Sequence, residues 1–276
     1  MDLRIMESEK FITTNHFYYI NTMNGLTVVG ICTYNPAVQR WLRTLRVHFD
    51  GPCRLYLVNS TKELQSFLAQ KFRCDVIDVQ VAPDYWAAPS PGRFCRVWGC
   101  LADACLDHIS TPFVLRTDVW DVVFQGDPRL HLNPPPNKVL IASESASLNE
   151  DDVNRRWLGT WHRFIPEGIV VNGGMICGRT TAVSVVAKIL VGNPFGTAFD
   201  QSELIVLRNL FDEQFEYRYG FMETIYKTFQ VRGAVEQGLF VDRSTGTPWC
   251  VVHGNGSTKP LLDSHYPITE ADRALS

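Results

Sequence analysis

The residues best placed to do chemistry lie near the C-terminus, where the chain reads Val251-Val252-His253-Gly254-Asn255-Gly256-Ser257-Thr258-Lys259-Pro260. An imidazole can bind a divalent ion. Glycines let backbone N–H groups approach a diphosphate with no Cβ in the way, and a lysine adds a compact positive charge. One turn thus offers a metal ligand (His253), a phosphate cradle (Gly256) and a phosphate cation (Lys259), although a Gly-rich surface turn with an incidental histidine reads the same way. A second motif lies far upstream, Phe113-Val114-Leu115-Arg116-Thr117-Asp118-Val119-Trp120-Asp121-Val122-Val123-Phe124. Here a short apolar run delivers two carboxylates and resumes as Val-Val-Phe. Paired aspartates at a strand end suit a hard cation, Mg²⁺ or Mn²⁺, that neutralises phosphate oxygens. Solvated turn aspartates are the plainer alternative. The apolar flanks speak against it, since a charge close to a buried strand needs a compensating partner.

Positioning these groups requires an α/β framework. Residues 26–33 form a β-branched apolar run, 37–48 a helical pattern, and 53–59 a second strand. Thr61 can cap a helix to about Arg73, residues 75–81 read as a third strand, and Pro83, Pro89 and Pro91 mark a loop. A helix from about Gly92 to Asp107 then leads into the strand that ends at Asp118. This βαβαβ opening predicts a parallel nucleotide-binding sheet with Thr33, Tyr34 and Asn35 at its carboxyl edge. Segments 139–142, 174–178 and 249–253 are expected to complete a mixed central sheet.

The order of motifs carries a resemblance. The acidic motif lies mid-chain, Val171-Asn172-Gly173-Gly174-Met175-Ile176-Cys177-Gly178 follows about fifty residues later, then Asp200-Gln201, and last His253, Gly256, Lys259 and Pro260. The chain resembles GT-A-fold glycosyltransferases of the glycogenin and lipopolysaccharide galactosyltransferase type over most of residues 26–262. The His-x-x-Gly-x-x-Lys-Pro string is the most specific match. The resemblance implies a single GT-A, Rossmann-like domain over 26–262, between an N-terminal extension (1–25) and a C-terminal tail (263–276). It implies a metal-dependent enzyme that moves a sugar from a nucleoside-diphosphate sugar, a UDP-sugar above all, to a hydroxyl acceptor with retention of anomeric configuration. The chain departs from the family at the acidic motif, which is usually Asp-x-Asp. Aligning back from Phe124 and Asp127-Pro128 puts Asp121 on the second aspartate, Val119 on the first and Asp118 one residue early. Asp121 is therefore expected to bind the metal directly, with Asp118 either reaching the metal or taking the ribose hydroxyls.

The same resemblance distributes further roles. Thr33, Tyr34 and Asn35 follow the strand where family members contact base and ribose, and Tyr34 could stack on a uracil-like ring; an ordinary turn would look alike. Arg93 and Arg96 share a helix face, and Arg96 resembles an arginine that meets the diphosphate or donor sugar, against a plain surface role. Asn172, Gly173 and Gly174 border the acceptor site. Asp200 and Gln201 resemble a pair beside the anomeric carbon, though Ser202 and Glu203 follow where the family has another aspartate. Glu144 is a further candidate, with a solvated loop acid as the simpler reading. Trp157, Trp161 and Phe164 could form one sugar-stacking platform, or pack as core.

Composition fits this picture. At 276 residues, 45% hydrophobic and 20% charged, the chain can bury a full core. A net charge of −3 removes any general electrostatic case for nucleic acid. The eight cysteines (Cys32, Cys53, Cys74, Cys95, Cys100, Cys105, Cys177 and Cys250) include no zinc-type Cys-x-x-Cys pair and read as buried free thiols of a reducing compartment. With no signal peptide or membrane span in the sequence, the expectation is a soluble, cytoplasmic protein or a trimmed piece of a longer one. Two rival classes remain, a nucleotidyl or phosphoryl transferase on a similar sheet and a non-catalytic binding module. Among glycosyltransferases the acceptor stays open: a glycan, a small molecule, a protein side chain, or a hydroxylated base in DNA as for phage-type enzymes.

Overall fold

The computed structural model describes residues 25–80, 108–132, 134–135, 137–165, 167–197, 199–218, 222–224, 233–254 and 258–273. The first strand, β1 (Leu26–Cys32), is buried along almost its whole length, as a central strand covered on both faces must be. Helix α1 (Ala37–His48) presents Val38, Trp41, Leu42 and Leu45 to it at helical spacing, all fully buried. Strand β2 (Cys53–Val58) follows, then α2 (Lys62–Phe72), whose first turn is capped by the Thr61 side chain accepting from Leu64 N–H. Next come β3 (Asp75–Val79), β4 (Phe113–Thr117) and β5 (Val122–Phe124). Beyond a short helix α3 (Pro128–His131) lie β6 (Val139–Ser147), α4 (Asp152–Leu158), β7 (Ile169–Arg179), α5 (Thr180–Gly192), α6 (Asp200–Leu210) and β8 (Phe215–Arg218). The remaining elements are β9 (Met222–Thr224), the β10 (Gly233–Glu236) and β11 (Leu239–Asp242) hairpin, β12 (Val251–His253) and α7 (Lys259–His265).

Seven strands make the central sheet in the order β3-β2-β1-β4-β7-β6-β8. Strands β1 to β4 run parallel, β7 is antiparallel to both β4 and β6, and β8 is parallel to β6. This is the mixed α/β architecture the sequence pattern predicts. Alternate residues of β1 feed opposite layers: Leu26 and Val28 join the core under α1 and α2, while Val29 and Ile31 join the core under α5 and α6.

The fold differs from expectation in three respects. Val251–His253 does not complete the central sheet; it pairs with β5 and β9 in a separate three-stranded sheet, β5-β12-β9. Both hydrogen-bonding edges of β4 are already taken by β1 and β7, so the C-terminal strand meets the acidic motif through β5, after the turn. The strands begun at Val139 and ended at Gly178 are also longer than predicted, which puts Glu144 on a strand rather than in a loop. Lastly, α7 runs across the boundary drawn at residue 262, and Asp263 and Asp272 pair with Arg40 and Arg43 of α1. The expected helix at 92–107 lies outside the described residues, as does the extension before residue 25. Among the described residues no helix is long and apolar enough to cross a membrane.

Candidate functional site

The turn after β4 and the strand β12 build one cluster. In the β5/β12 pair His253 lies opposite Val122, the residue after Asp121, and the Gly254 N–H donates to the Asp121 carbonyl at 2.8 Å. Register alone therefore brings the imidazole to the acidic turn. On the other side, Asp118 N–H donates to the Gly174 carbonyl at 2.7 Å, tying the turn to β7. Gly30 of β1 lets the turn approach this closely, since a Cβ there would meet Val119 Cγ2 at 2.6 Å.

The His253 Nε2 atom is 3.4 Å from Asp121 Oδ1 and 3.6 Å from Asp118 Oδ2. One ligand atom from each of the three residues lies within 4.8 Å of the others. Around a small divalent ion with bonds of about 2.1 Å, ligand atoms stand roughly 3 Å apart when adjacent and roughly 4 Å apart when opposite, so the three could share one ion. Two further observations fit a metal. Nε2 is buried and makes no hydrogen bond, an arrangement that is costly unless something else occupies it. The opposite ring nitrogen, Nδ1, is 3.1 Å from Asn172 Oδ1, which can only accept, so Nδ1 carries a proton and Nε2 faces the two carboxylates, where it can hold a second proton or, in the neutral ring, offer its lone pair to a metal. Burial works to lower the pKa of His253, but Asp121, then Asp118 and Glu144, outweigh it and hold it above the usual imidazole value. Burial likewise pushes Asp121 up, and His253 and Lys259 more than reverse this, leaving its carboxyl below the usual range.

Asn172 is the hub of a supporting network. Its carbonyl oxygen also accepts from Gly174 N–H at 2.7 Å, and its NH₂ donates to Glu144 Oε1 at 3.0 Å and to Gln201 Oε1 at 3.3 Å. Gln201 in turn donates to Asn154 Oδ1 at 3.0 Å. Glu144 is thus a buried strand residue, 2% exposed, and the solvated loop reading fails. Gly174 makes room for the imidazole, because a Cβ in its place would meet His253 Cε1 at 2.5 Å and Nδ1 at 2.6 Å. A Cβ on Gly173 would come no nearer than 3.6 Å to Asp200 Oδ2 and 3.8 Å to Gln201 Cα, ordinary contacts. Asp200 heads α6 and accepts from Gln201 N–H at 2.9 Å. Glu203, which interrupts the family pattern, is buried and accepts from the Thr197 N–H and hydroxyl.

The cluster opens on a cavity of about 730 Å³, a size that suits a small-molecule ligand, lined by Thr33, Trp120, Trp157, Asn172, Gly173, Phe199, Asp200 and Gln201 besides the three candidate ligands. Tyr34 and Asn35 do not line it. The Tyr34 ring packs against the core and its hydroxyl accepts from Gln39 Nε2 at 2.8 Å, while Asn35 Oδ1 accepts from Ala37 N–H at 2.7 Å to start α1. Lys259 stands beside the turn, its Nζ donating to the Trp120 carbonyl at 3.1 Å. The expected aromatic platform divides: Trp157 meets Phe199 on the cavity wall with ring centroids 4.5 Å apart, whereas Trp161 packs on Phe164 and Phe195. Arg93, Arg96 and Gly256 lie outside the described residues.

Sequence reasoning passed over Arg116, Trp120, Asn154 and Phe199. Arg116 is 4% exposed; its guanidinium donates to the Gly173 carbonyl and pairs with Asp118 at 2.9 Å. The signal was present, because strand periodicity puts residues 116 and 118 on one face and an arginine inside an apolar run needs a partner.

No protein-family model and no curated protein matches the chain. Solved structures do. The galactosyltransferase LgtC, crystallised with donor and acceptor sugar analogues, superposes with a TM-score of 0.58 at 14% identity, over 91% of this chain and 96% of that one. An active-site mutant of LgtC gives 0.55 at 12% identity over 87% and 94%. At such identities the likeness establishes the fold, and the chain has the GT-A fold of these glycosyltransferases.

Proposed function

We propose that the protein is a metal-dependent glycosyltransferase that moves a sugar from a nucleoside-diphosphate sugar, a UDP-sugar in the first instance, to a hydroxyl acceptor. The observation that carries this reading is the cluster of Asp118, Asp121 and His253, drawn from two distant segments around a buried, unbonded Nε2 at the edge of a ligand-sized cavity. The fold supports it. A bound Mn²⁺ or Mg²⁺ would act as a Lewis acid that stabilises the departing diphosphate. Both aspartates would hold that ion, and Arg116 would keep Asp118 turned towards it. Lys259 would add charge beside the diphosphate, with the backbone around Gly256 as its cradle and Arg93 and Arg96 as further candidates for the donor. Asn172 would orient His253 instead of contacting the acceptor.

In the transfer, the bond from the anomeric carbon to the diphosphate oxygen breaks and a bond to the acceptor oxygen forms. The acceptor proton leaves on the released diphosphate. Asp200 and Gln201 would steady the positive charge that develops at the anomeric carbon, consistent with retention. The Trp157–Phe199 pair would offer an apolar wall to the acceptor. A panel of nucleotide sugars incubated with Mn²⁺ or Mg²⁺, scored by nucleoside diphosphate released, tests the proposal. Release from at least one donor, abolished in Asp121→Ala, is expected; full turnover in excess EDTA, or no release from any donor, would sink it.

A further inference from the structure

Trp120 stands between the two carboxylates of the acidic turn. Most large apolar side chains described are buried, yet Trp120 is 42% exposed, and it lines the cavity. Exposure would ordinarily leave such a ring free to sample rotamers. This one is fixed: its indole N–H donates to the Thr33 carbonyl at 3.0 Å, laying the ring over the carboxyl end of β1. Its own carbonyl accepts from the buried Arg40 at 2.6 Å and from Lys259 Nζ at 3.1 Å, so the backbone beneath it is pinned as well. A large aromatic surface held still at the rim of a ligand cavity loses little freedom when something lies on it, which is the condition for tight binding.

The sheet order indicates which part of a ligand would lie there. Along β1-β4-β7-β6, the cavity passes from Thr33 and Trp120, through Asp118 and Asp121, to Gly173 and Asn172, where Asp200 and Gln201 also lie. A nucleoside-diphosphate sugar whose phosphates sit at the carboxylate cluster has its base on one side and its transferable sugar on the other. Asp200 and Gln201 claim the sugar side. The β1 side offers an aromatic surface, and Tyr34, the other aromatic there, is half-buried against the core with its hydroxyl held by Gln39 and does not line the cavity.

We propose that Trp120 is the surface on which the donor's nucleobase stacks, a specificity-determining residue set inside the metal-binding turn itself. This rests on the reading of the site as one for a nucleoside diphosphate. Stacking of a base on an aromatic side chain corresponds to roughly a 5- to 150-fold change in affinity.

The test is calorimetric titration of UDP, ADP, GDP and inorganic pyrophosphate, each with Mn²⁺, into the wild-type protein, Trp120→Ala and Trp120→Phe. The expected result is that Trp120→Ala weakens the preferred nucleoside diphosphate roughly 5- to 150-fold, that Trp120→Phe recovers most of the loss, and that pyrophosphate binds all three alike. Unchanged nucleotide affinity in Trp120→Ala overturns the proposal. So does an equal loss for pyrophosphate, which would mean that the residue acts by shaping the metal turn. Wild-type protein that binds pyrophosphate but none of the nucleotides would instead overturn the nucleotide reading, and this inference with it.

Discussion

Gly174→Ala separates a histidine-positioning glycine from one that merely lines a cavity. The added Cβ would lie 2.5 Å from His253 Cε1, 2.6 Å from Nδ1 and 2.8 Å from Asn172 Oδ1. The imidazole is 3% exposed and cannot swing into solvent. It must move against β12 or give up Asn172. Overpacking a buried site costs about 1–3 kcal/mol, and the lost hydrogen bond between Nδ1 and Asn172 adds about 1 kcal/mol. Against this, Gly→Ala reduces the entropy of the unfolded chain and stabilises by about 0.4–1 kcal/mol. The strain wins, for a net loss of roughly 1–4 kcal/mol. Gly173→Ala is the control one residue away: its nearest new contact is 3.6 Å, so its stability should stay within about 1 kcal/mol of wild type. Urea denaturation of the metal-free proteins measures both. Titration with Mn²⁺ reads the displaced Nε2, and Gly174→Ala alone should lose affinity. Equal urea midpoints for the two variants, with wild-type Mn²⁺ affinity in Gly174→Ala, would refute the reasoning.

Other consequences follow from neighbouring contacts. Arg116→Leu leaves Asp118 without its buried partner, and Mn²⁺ affinity measured by titration should fall about 10- to 100-fold; Arg116→Lys should not restore it, because a single ammonium cannot span both Gly173 and Asp118 as the guanidinium fork does. Lys259→Ala should raise the dissociation constant of the nucleoside diphosphate by roughly tenfold, the low end for a charge-assisted contact, since Nζ is partly solvated, and should leave free nucleoside binding unchanged by calorimetry. Asp272 supplies an acid-stability test. Burial works to raise its pKa, but Arg43 and Thr269 hold it below 3.8. A carboxylate depressed on folding stabilises above its unfolded pKa, and the gain is lost as pH falls through the folded one. The urea-midpoint gap between wild type and Asp272→Asn should therefore hold from neutrality down to about pH 4 and shrink below it; a gap that widened with acid would contradict the assignment.

Much of the framework was legible in the sequence because local patterns decide it. The β-branched run of β1, the apolar stripe of α1 and the Thr61 cap need no partner to be recognised. Sheet membership was less accessible. Val-Val-His reads as a strand anywhere, and only the prior claims of β1 and β7 on the edges of β4 send it to β5. Site residues divide in the same way. Asp118, Asp121 and His253 could be picked out by type, and the structure brings all three together despite the displaced first aspartate. Side-chain allegiance could not be read so easily: Tyr34 looked like a ligand-facing aromatic but packs against the core and Gln39, and Trp120, given no role from the sequence, lines the cavity. Glu144 looked like a loop acid because the strand that buries it outlasts its apolar pattern at Ala142.

The central claim is that Asp118, Asp121 and His253 hold one divalent ion that carries the donor's diphosphate. A crystal grown with Mn²⁺ and a nucleoside diphosphate, with the manganese located by its anomalous scattering, tests this most directly. The account predicts a single peak within bonding distance, about 2.0–2.3 Å, of both carboxylates and of His253 Nε2, with diphosphate oxygens completing the coordination. A manganese bound elsewhere, or a diphosphate seated in the cavity while Nε2 remains without a metal, would contradict it.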